Sequence, residues 1–156
     1  MPPSTTVALQ TDSPLATEEL GRQIAGQLQR GDVVYLQGEL GAGKTCFVRG
    51  LANGLDSADR VTSPTFVLLN QYRGRETLFH VDLYRTGGEG IEELGLWDHA
   101  ESGVLAIEWA DLAAGQLPAP ALIISFEHSH ALGGRTLRIE GPSDRGTAIL
   151  SAAGLL

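Results

Sequence analysis

Residues 38 to 45 read GELGAGKT and match the pattern G-x-x-x-x-G-K-[ST] without deviation. Each residue type in it has a chemical reason. Gly38, Gly41 and Gly43 let the backbone curl with its N–H groups turned inward around phosphate oxygens. The cradle predicted here runs through Glu39, Leu40, Gly41, Ala42, Gly43, Lys44, Thr45 and Cys46. Lys44 carries an ammonium to the terminal phosphates of a nucleotide, and Thr45 offers its hydroxyl to Mg2+. A helix starting at this point adds its positive dipole end. A guanine-reading N/T-K-x-D motif is absent from the chain, which favours ATP.

Metal-assisted phosphate chemistry also needs a carboxylate, and two stretches offer one. In LFHVDLYR, residues 78–85, Phe79, Val81 and Leu83 alternate with His80, Asp82 and Tyr84. That period of two predicts a half-buried strand whose polar face carries Asp82 on a surface or cleft. In VLAIEWAD, residues 104–111, every position up to Glu108 is apolar. Such a run predicts a central strand covered on both sides, with Glu108 at the end where open α/β sheets bind ligands. Glu108 is therefore assigned to Mg2+ beside Thr45, and Asp82 to another task such as positioning the attacking water. The plainer alternatives are a solvated or Arg85-paired Asp82, a hydrogen-bonded structural His80 and a packing role for Trp109. Cys46 reads as a small packing residue.

The elements that must position these groups follow from local patterns. TTVALQ predicts a short strand, and Thr17 an N-cap for a helix reaching about Gln29, with Leu20, Ile24 and Leu28 on one face. VVYLQ (33–37) predicts a buried strand, followed by the phosphate loop and a helix with Phe47, Val48, Leu51 and Leu55 on one side. TSPTFVLLNQY and TLFHVDLYR predict a hairpin. Within it TSPTF (62–66) is either an ordinary turn or a switch that senses the terminal phosphate. GIEELGLWDHA predicts a short helix and loop, ALIISFEH and RTLRIEG a second hairpin, and SDRGTAILSAAGLL a closing helix. The whole predicts one α/β domain over 1–156, a P-loop NTPase-like mixed β-sheet flanked by helices.

Composition bounds the function. The chain has 156 residues, 42% of them hydrophobic and 19% charged, enough for a real core without staples. A formal charge of -8 makes it a poor binder of a phosphate backbone by itself. One cysteine excludes an internal disulfide. Neither a signal peptide nor an apolar run of membrane-spanning length is evident, so a cytoplasmic location away from membranes is expected.

Taken in order, GELGAGKT, SPTF, HVDLYR, IEWAD and GGRTLRI resemble the TsaE (YjeE) family of bacterial phosphate-loop ATPases. The resemblance implies a role in making threonylcarbamoyladenosine beside the anticodon of tRNA. It implies ATP and Mg2+ as cofactors, and TsaB and TsaD as partners, with tRNA met only through that complex. TsaD transfers the threonylcarbamoyl group, while the TsaE-like protein hydrolyses ATP as a regulatory or reset subunit, weakly alone and faster with its partners. Carried over, Lys44 and the loop amides hold phosphates, Thr45 and Glu108 organise Mg2+, and Asp82 and Lys44 serve hydrolysis. The resemblance also places Asp12 to Thr17 near the adenine, makes Trp109 the family's tryptophan after the acid, and leaves Arg135 as a phosphate or partner contact. A small-molecule or nucleoside kinase shares the loop and the size, but no arginine-bearing lid insertion is evident.

Overall fold

In chain order the computed structural model runs β1 (Thr5–Thr11), α1 (Pro14–Ala25), β2 (Val33–Gly38), α2 (Lys44–Gly54), β3 (Leu69–Tyr72) and β4 (Leu78–Asp82). A 3-10 turn (Ile91–Leu94), α3 (Leu96–Ser102), β5 (Val104–Glu108) and a second 3-10 turn (Ala110–Ala113) follow. Then come β6 (Leu122–His128), β7 (Arg135–Gly141) and α4 (Asp144–Ala152). The structure describes residues 4–38, 43–61, 69–85, 89–129 and 134–156. The expectations for Glu39, Leu40, Gly41, Ala42 and the TSPTF segment lie outside the described residues.

The strands form one mixed sheet in the order β1-β7-β6-β2-β5-β4-β3. Its centre, β6-β2-β5-β4, is parallel throughout. β3 closes one edge by an antiparallel hairpin with β4, and β7 and β1 extend the other edge antiparallel to β6. The predicted P-loop NTPase-like α/β architecture is therefore present as a mixed sheet flanked by helices.

The apolar pattern explains the layering. Every residue of β5 is buried, as its unbroken apolar run requires, because it has a strand on each side and a layer on each face. On one face Leu36, Val104, Ala106 and Ile124 join Leu20, Ile24, Phe47 and Leu51 of α1 and α2, with Ile149 and Leu150 of α4. On the other, Val33, Phe79, Val81, Leu105 and Ile107 pack against Ile91, Leu96, Ala110 and Ala113.

The structure corrects the expectations for α1 and for β4. Helix α1 is capped by Ser13, not Thr17: the Ser13 hydroxyl accepts from the Ala16 amide at 3.1 Å, and Pro14 sits in the first turn. Proline at the first helical position moved the start upstream, and Thr17 is buried within the helix instead. The helix also stops at Ala25 rather than near Gln29, although Leu28 stays in the core. The second correction concerns β4, which is not half exposed. It lies inside the sheet between β3 and β5, so its polar face is turned onto the layer of α1 and α2, and His80 is wholly buried.

Helices α1 and α2 meet backbone to backbone. A Cβ on Gly50 would lie 2.0 Å from the Glu18 carbonyl oxygen, and one on Gly21 2.4 Å from that of Phe47. Only glycine permits that approach. At the far end of the sheet, Arg145 of α4 forks onto Asp32, Nε to Oδ1 at 2.9 Å and Nη2 to Oδ2 at 2.7 Å, and also reaches the Gln27 carbonyl. Asp32 in turn accepts from the Gln29 amide. The carboxylate holds the Arg145 guanidinium above its ordinary pKa. This clamp ties the last helix to the turn that feeds β2.

Two stability changes are expected in equilibrium denaturation. Gly50→Ala should cost about 1–3 kcal/mol by overpacking the helix contact. Arg145→Ala should cost about 1–2 kcal/mol, since it strands a buried carboxylate but removes a partly exposed cation. A Gly50→Ala protein as stable as the parent would contradict the backbone contact.

Candidate functional site

The site is assembled where β2, β5 and β4 end. In β2, Gly38 has φ of 132°, and a Cβ there would sit 2.2 Å from the Phe126 carbonyl oxygen of β6, so the chain turns out of the sheet only as glycine. The chain returns at Gly43, again left-handed with φ of 104°, which caps α2. Among the described residues no side chain caps this helix, and its first turn carries no acid. The leading amides of a helix are donors without an intrahelical acceptor, the kind of group an anion can satisfy.

Lys44 opens α2 and is almost fully buried. Its Nζ donates to the Gly38 carbonyl at 2.9 Å and stands 4.3 Å over the centre of the Trp109 ring. A cation over an indole in a partly desolvated place gains about 0.5–2 kcal/mol. Trp109 is presented by an unusual backbone: φ of 62° in a residue other than glycine. Its amide is bonded to the Leu36 carbonyl at 2.8 Å, and Tyr84 lies against it with ring centres 5.0 Å apart. Thr45 and Cys46 follow in the first turn of α2, both partly exposed, and Arg49 Nη1 lies 3.7 Å from the Cys46 sulfur.

The two carboxylates come from adjacent parallel strands, and Asp82 is the register partner of Glu108. Strand alternation places them on the same side as α2. Leu78 lies in the core beneath α1 and α2 together with Val104 and Ala106, and His80, Asp82 and Glu108 share their faces. Glu108 is buried, and its Oε2 is 2.5 Å from His80 Nε2. Asp82 is half-buried, its Oδ1 accepting from the Tyr84 amide at 2.9 Å. Burial first, and then the nearby Glu108 charge, push the Asp82 carboxyl above its ordinary pKa. The Tyr84 amide, His80 and Lys44 pull the other way.

On the opposite flank, Thr17 and Arg135 border the end of the loop. A Cβ on Gly43 would be 3.5 Å from Thr17 Cγ2 and 3.9 Å from Arg135 Cγ. Thr17 is tied to Thr11 by a 2.7 Å hydroxyl pair, and Arg135 Nη1 donates to the Gly134 carbonyl. The structure thus brings Lys44, Asp82, Glu108 and Trp109 together, with Thr45 in the same helix turn as Lys44. It sets Thr17 and Arg135 beside Gly43, whereas Asp12 is exposed outside that contact. Sequence reasoning assigned no task to Tyr84 and none specific to His80. Their positions two residues either side of Asp82 were the available signal.

The residues present suit a nucleotide with Mg2+. Among the described residues no group of three or more His, Cys, Asp or Glu is placed to hold a metal by itself. Mg2+ held chiefly by phosphates, waters and one or two protein oxygens needs no such group. Also among the described residues, no helix is long and apolar enough to cross a membrane.

The family model described as threonylcarbamoyl adenosine biosynthesis protein TsaE matches residues 11–137. A tRNA threonylcarbamoyladenosine biosynthesis protein TsaE from Treponema pallidum is 45% identical, over 70% of this chain and 83% of that protein. The protein of the same description from Bacillus subtilis is 41% identical over 76% of each. The crystal structure of the Bacillus YdiB protein superposes with a TM-score of 0.81 at 29% identity, covering 97% of this chain and 96% of that one. With most of its length matched by the family model and by these relatives, the chain belongs to the TsaE family.

Proposed function

We propose that this chain is a Mg2+-dependent ATPase of the cytoplasm that serves the threonylcarbamoyladenosine modification of tRNA. In this reading it acts beside TsaB and TsaD as a regulatory or reset subunit, not as the transferase. The observation that carries the reading is the convergence at one end of the sheet. Lys44 and the start of α2 lie beside a buried Glu108 and a half-buried Asp82. The names of the relatives support the place in tRNA modification.

Each side chain has a task set by its surroundings. Lys44 holds its ammonium at the mouth of the loop, against the Gly38 carbonyl and the Trp109 ring. Transfer from those partners to phosphate oxygens exchanges neutral acceptors for charged ones, which are the stronger. The amides of the first turn of α2 are oriented toward the same place. Thr45 and Glu108 are the oxygens that would hold Mg2+, which when bound neutralises phosphate charge. Asp82, on the neighbouring strand, is the residue that accepts a hydrogen bond from the attacking water and orients it in this reading. The chain's net charge of -8 disfavours direct tRNA binding, so the partners are the elements that hold the nucleic acid.

The deciding experiment is ATP turnover measured with and without purified TsaB–TsaD at fixed Mg2+. Slow hydrolysis alone and faster hydrolysis with the pair are expected. Turnover indifferent to the pair would sink the partner role, and phosphate passed to an added metabolite rather than to water would indicate a kinase. Two variants test the division of labour by calorimetry and turnover. Lys44→Ala should weaken ATP binding about ten- to a hundredfold, the value of a charge-assisted contact. Asp82→Asn should keep ATP affinity while hydrolysis falls about a hundredfold; lost binding would make Asp82 a ligand or a fold residue instead.

A further inference from the structure

Of the charged and polar side chains in the described core, His80 is the most enclosed, with no exposed surface, and the tasks above leave it idle. Its Nε2 lies 2.5 Å from Glu108 Oε2, while Nδ1 is buried with no hydrogen-bond partner among the described residues. Nε2 is thus the nitrogen that faces the carboxylate, and among the described residues none is placed to pair with Nδ1. The ring has little freedom to turn. It is set on an interior strand, opposite Asn70 on one side and Ala106 on the other, with the Tyr72 ring centre 6.2 Å away. An apolar side chain would fill the same volume without leaving a buried nitrogen unsatisfied. The histidine is explained by what it holds.

We infer that His80 is a positioning residue for Glu108: the sealed imidazole grips one carboxylate oxygen and so fixes the direction in which the other is offered at the end of β5. Among the described residues the Glu108 carboxylate has no other side-chain hydrogen-bond partner; its backbone carbonyl accepts from the Leu83 amide, which leaves His80 as the contact that orients the carboxylate. The inference deepens the metal role proposed for Glu108 and rests on it. A carboxylate left to rotate loses metal affinity because its oxygen is no longer pre-oriented, and supporting contacts of this kind are worth about 10–100-fold.

Two variants and two readouts test it. His80→Leu removes the donor, whereas His80→Gln keeps an N–H near the place of Nε2. Binding of a non-hydrolysable ATP analogue is titrated with Mg2+, and imidazole nitrogen resonances are recorded on the metal-free protein. His80→Leu should raise the Mg2+ requirement about tenfold or more while Mg2+-free nucleotide affinity stays unchanged, and His80→Gln should recover most of the loss. In the metal-free protein the His80 nitrogens should show the Nε2-protonated form and shift on Glu108→Ala. An unchanged Mg2+ requirement in His80→Leu, or an equal loss in both His80 variants accompanied by equal drops in melting temperature, would overturn the positioning role. Nitrogen signals indifferent to Glu108→Ala would overturn the pairing itself, and this arm needs no folded His80 variant. If Glu108→Gln leaves the Mg2+ requirement intact, the metal role of Glu108 fails first, and the nitrogen signals still decide whether the pair exists.

Discussion

The site depends on one constraint, the parallel register of β5 with both of its neighbours. Glu108 stands opposite Leu36 of β2 on one side and Asp82 of β4 on the other. Parallel pairing sends all three strands out of the sheet at the same end. The end of β2, the buried acid and the half-buried acid therefore arrive together. A slip of one residue in either pairing would turn a carboxylate to the opposite face, into the apolar layer around Ile107 and Val81. Glu108 itself guards against that slip, because the apolar run before it reads alike on both faces while the carboxylate would be buried without a partner in that layer.

The register also creates an electrostatic difficulty that the surrounding residues relieve. Two carboxylates at adjacent strand ends repel, and both are partly or wholly removed from water. Glu108 is held by an imidazole, Asp82 by the Tyr84 amide, and Lys44 lies close enough to influence Asp82. The lysine is restrained too, by a carbonyl and an aromatic face, so the cluster balances charge by short polar contacts before any ligand enters.

Much of this was legible in the residues. The strand–loop–helix order around GELGAGKT, the end position of Glu108 and both hairpins follow from local pattern alone. Other features were hidden because they depend on neighbours distant in sequence. Alternation in LFHVDLYR indicates two faces but not that β3 and β5 flank the strand and that α1 and α2 cover its polar side. Hence His80 reads as a hydrogen-bonded residue of a surface or cleft face, and its burial and its partner, 28 residues away, come only with the fold. Thr17 has the chemistry of a cap, yet Pro14 and Ser13 supply a better start, and the threonine instead borders Gly43. The meeting of α1 and α2 is likewise written in Gly21 and Gly50, but only the crossing shows that these glycines face each other's backbones.

The left-handed backbone at Trp109 has an optical consequence. The chain has two indoles, and their surroundings differ. Trp97 on α3 is 61% exposed, whereas Trp109 is partly buried beneath an ammonium and beside a phenol ring. Emission from Trp97 follows solvent, while that from Trp109 follows the position of Lys44. The strained turn that sends the chain away from β5 thus builds a native fluorophore into the loop's mouth, and Trp97→Phe would leave it as the protein's single indole signal.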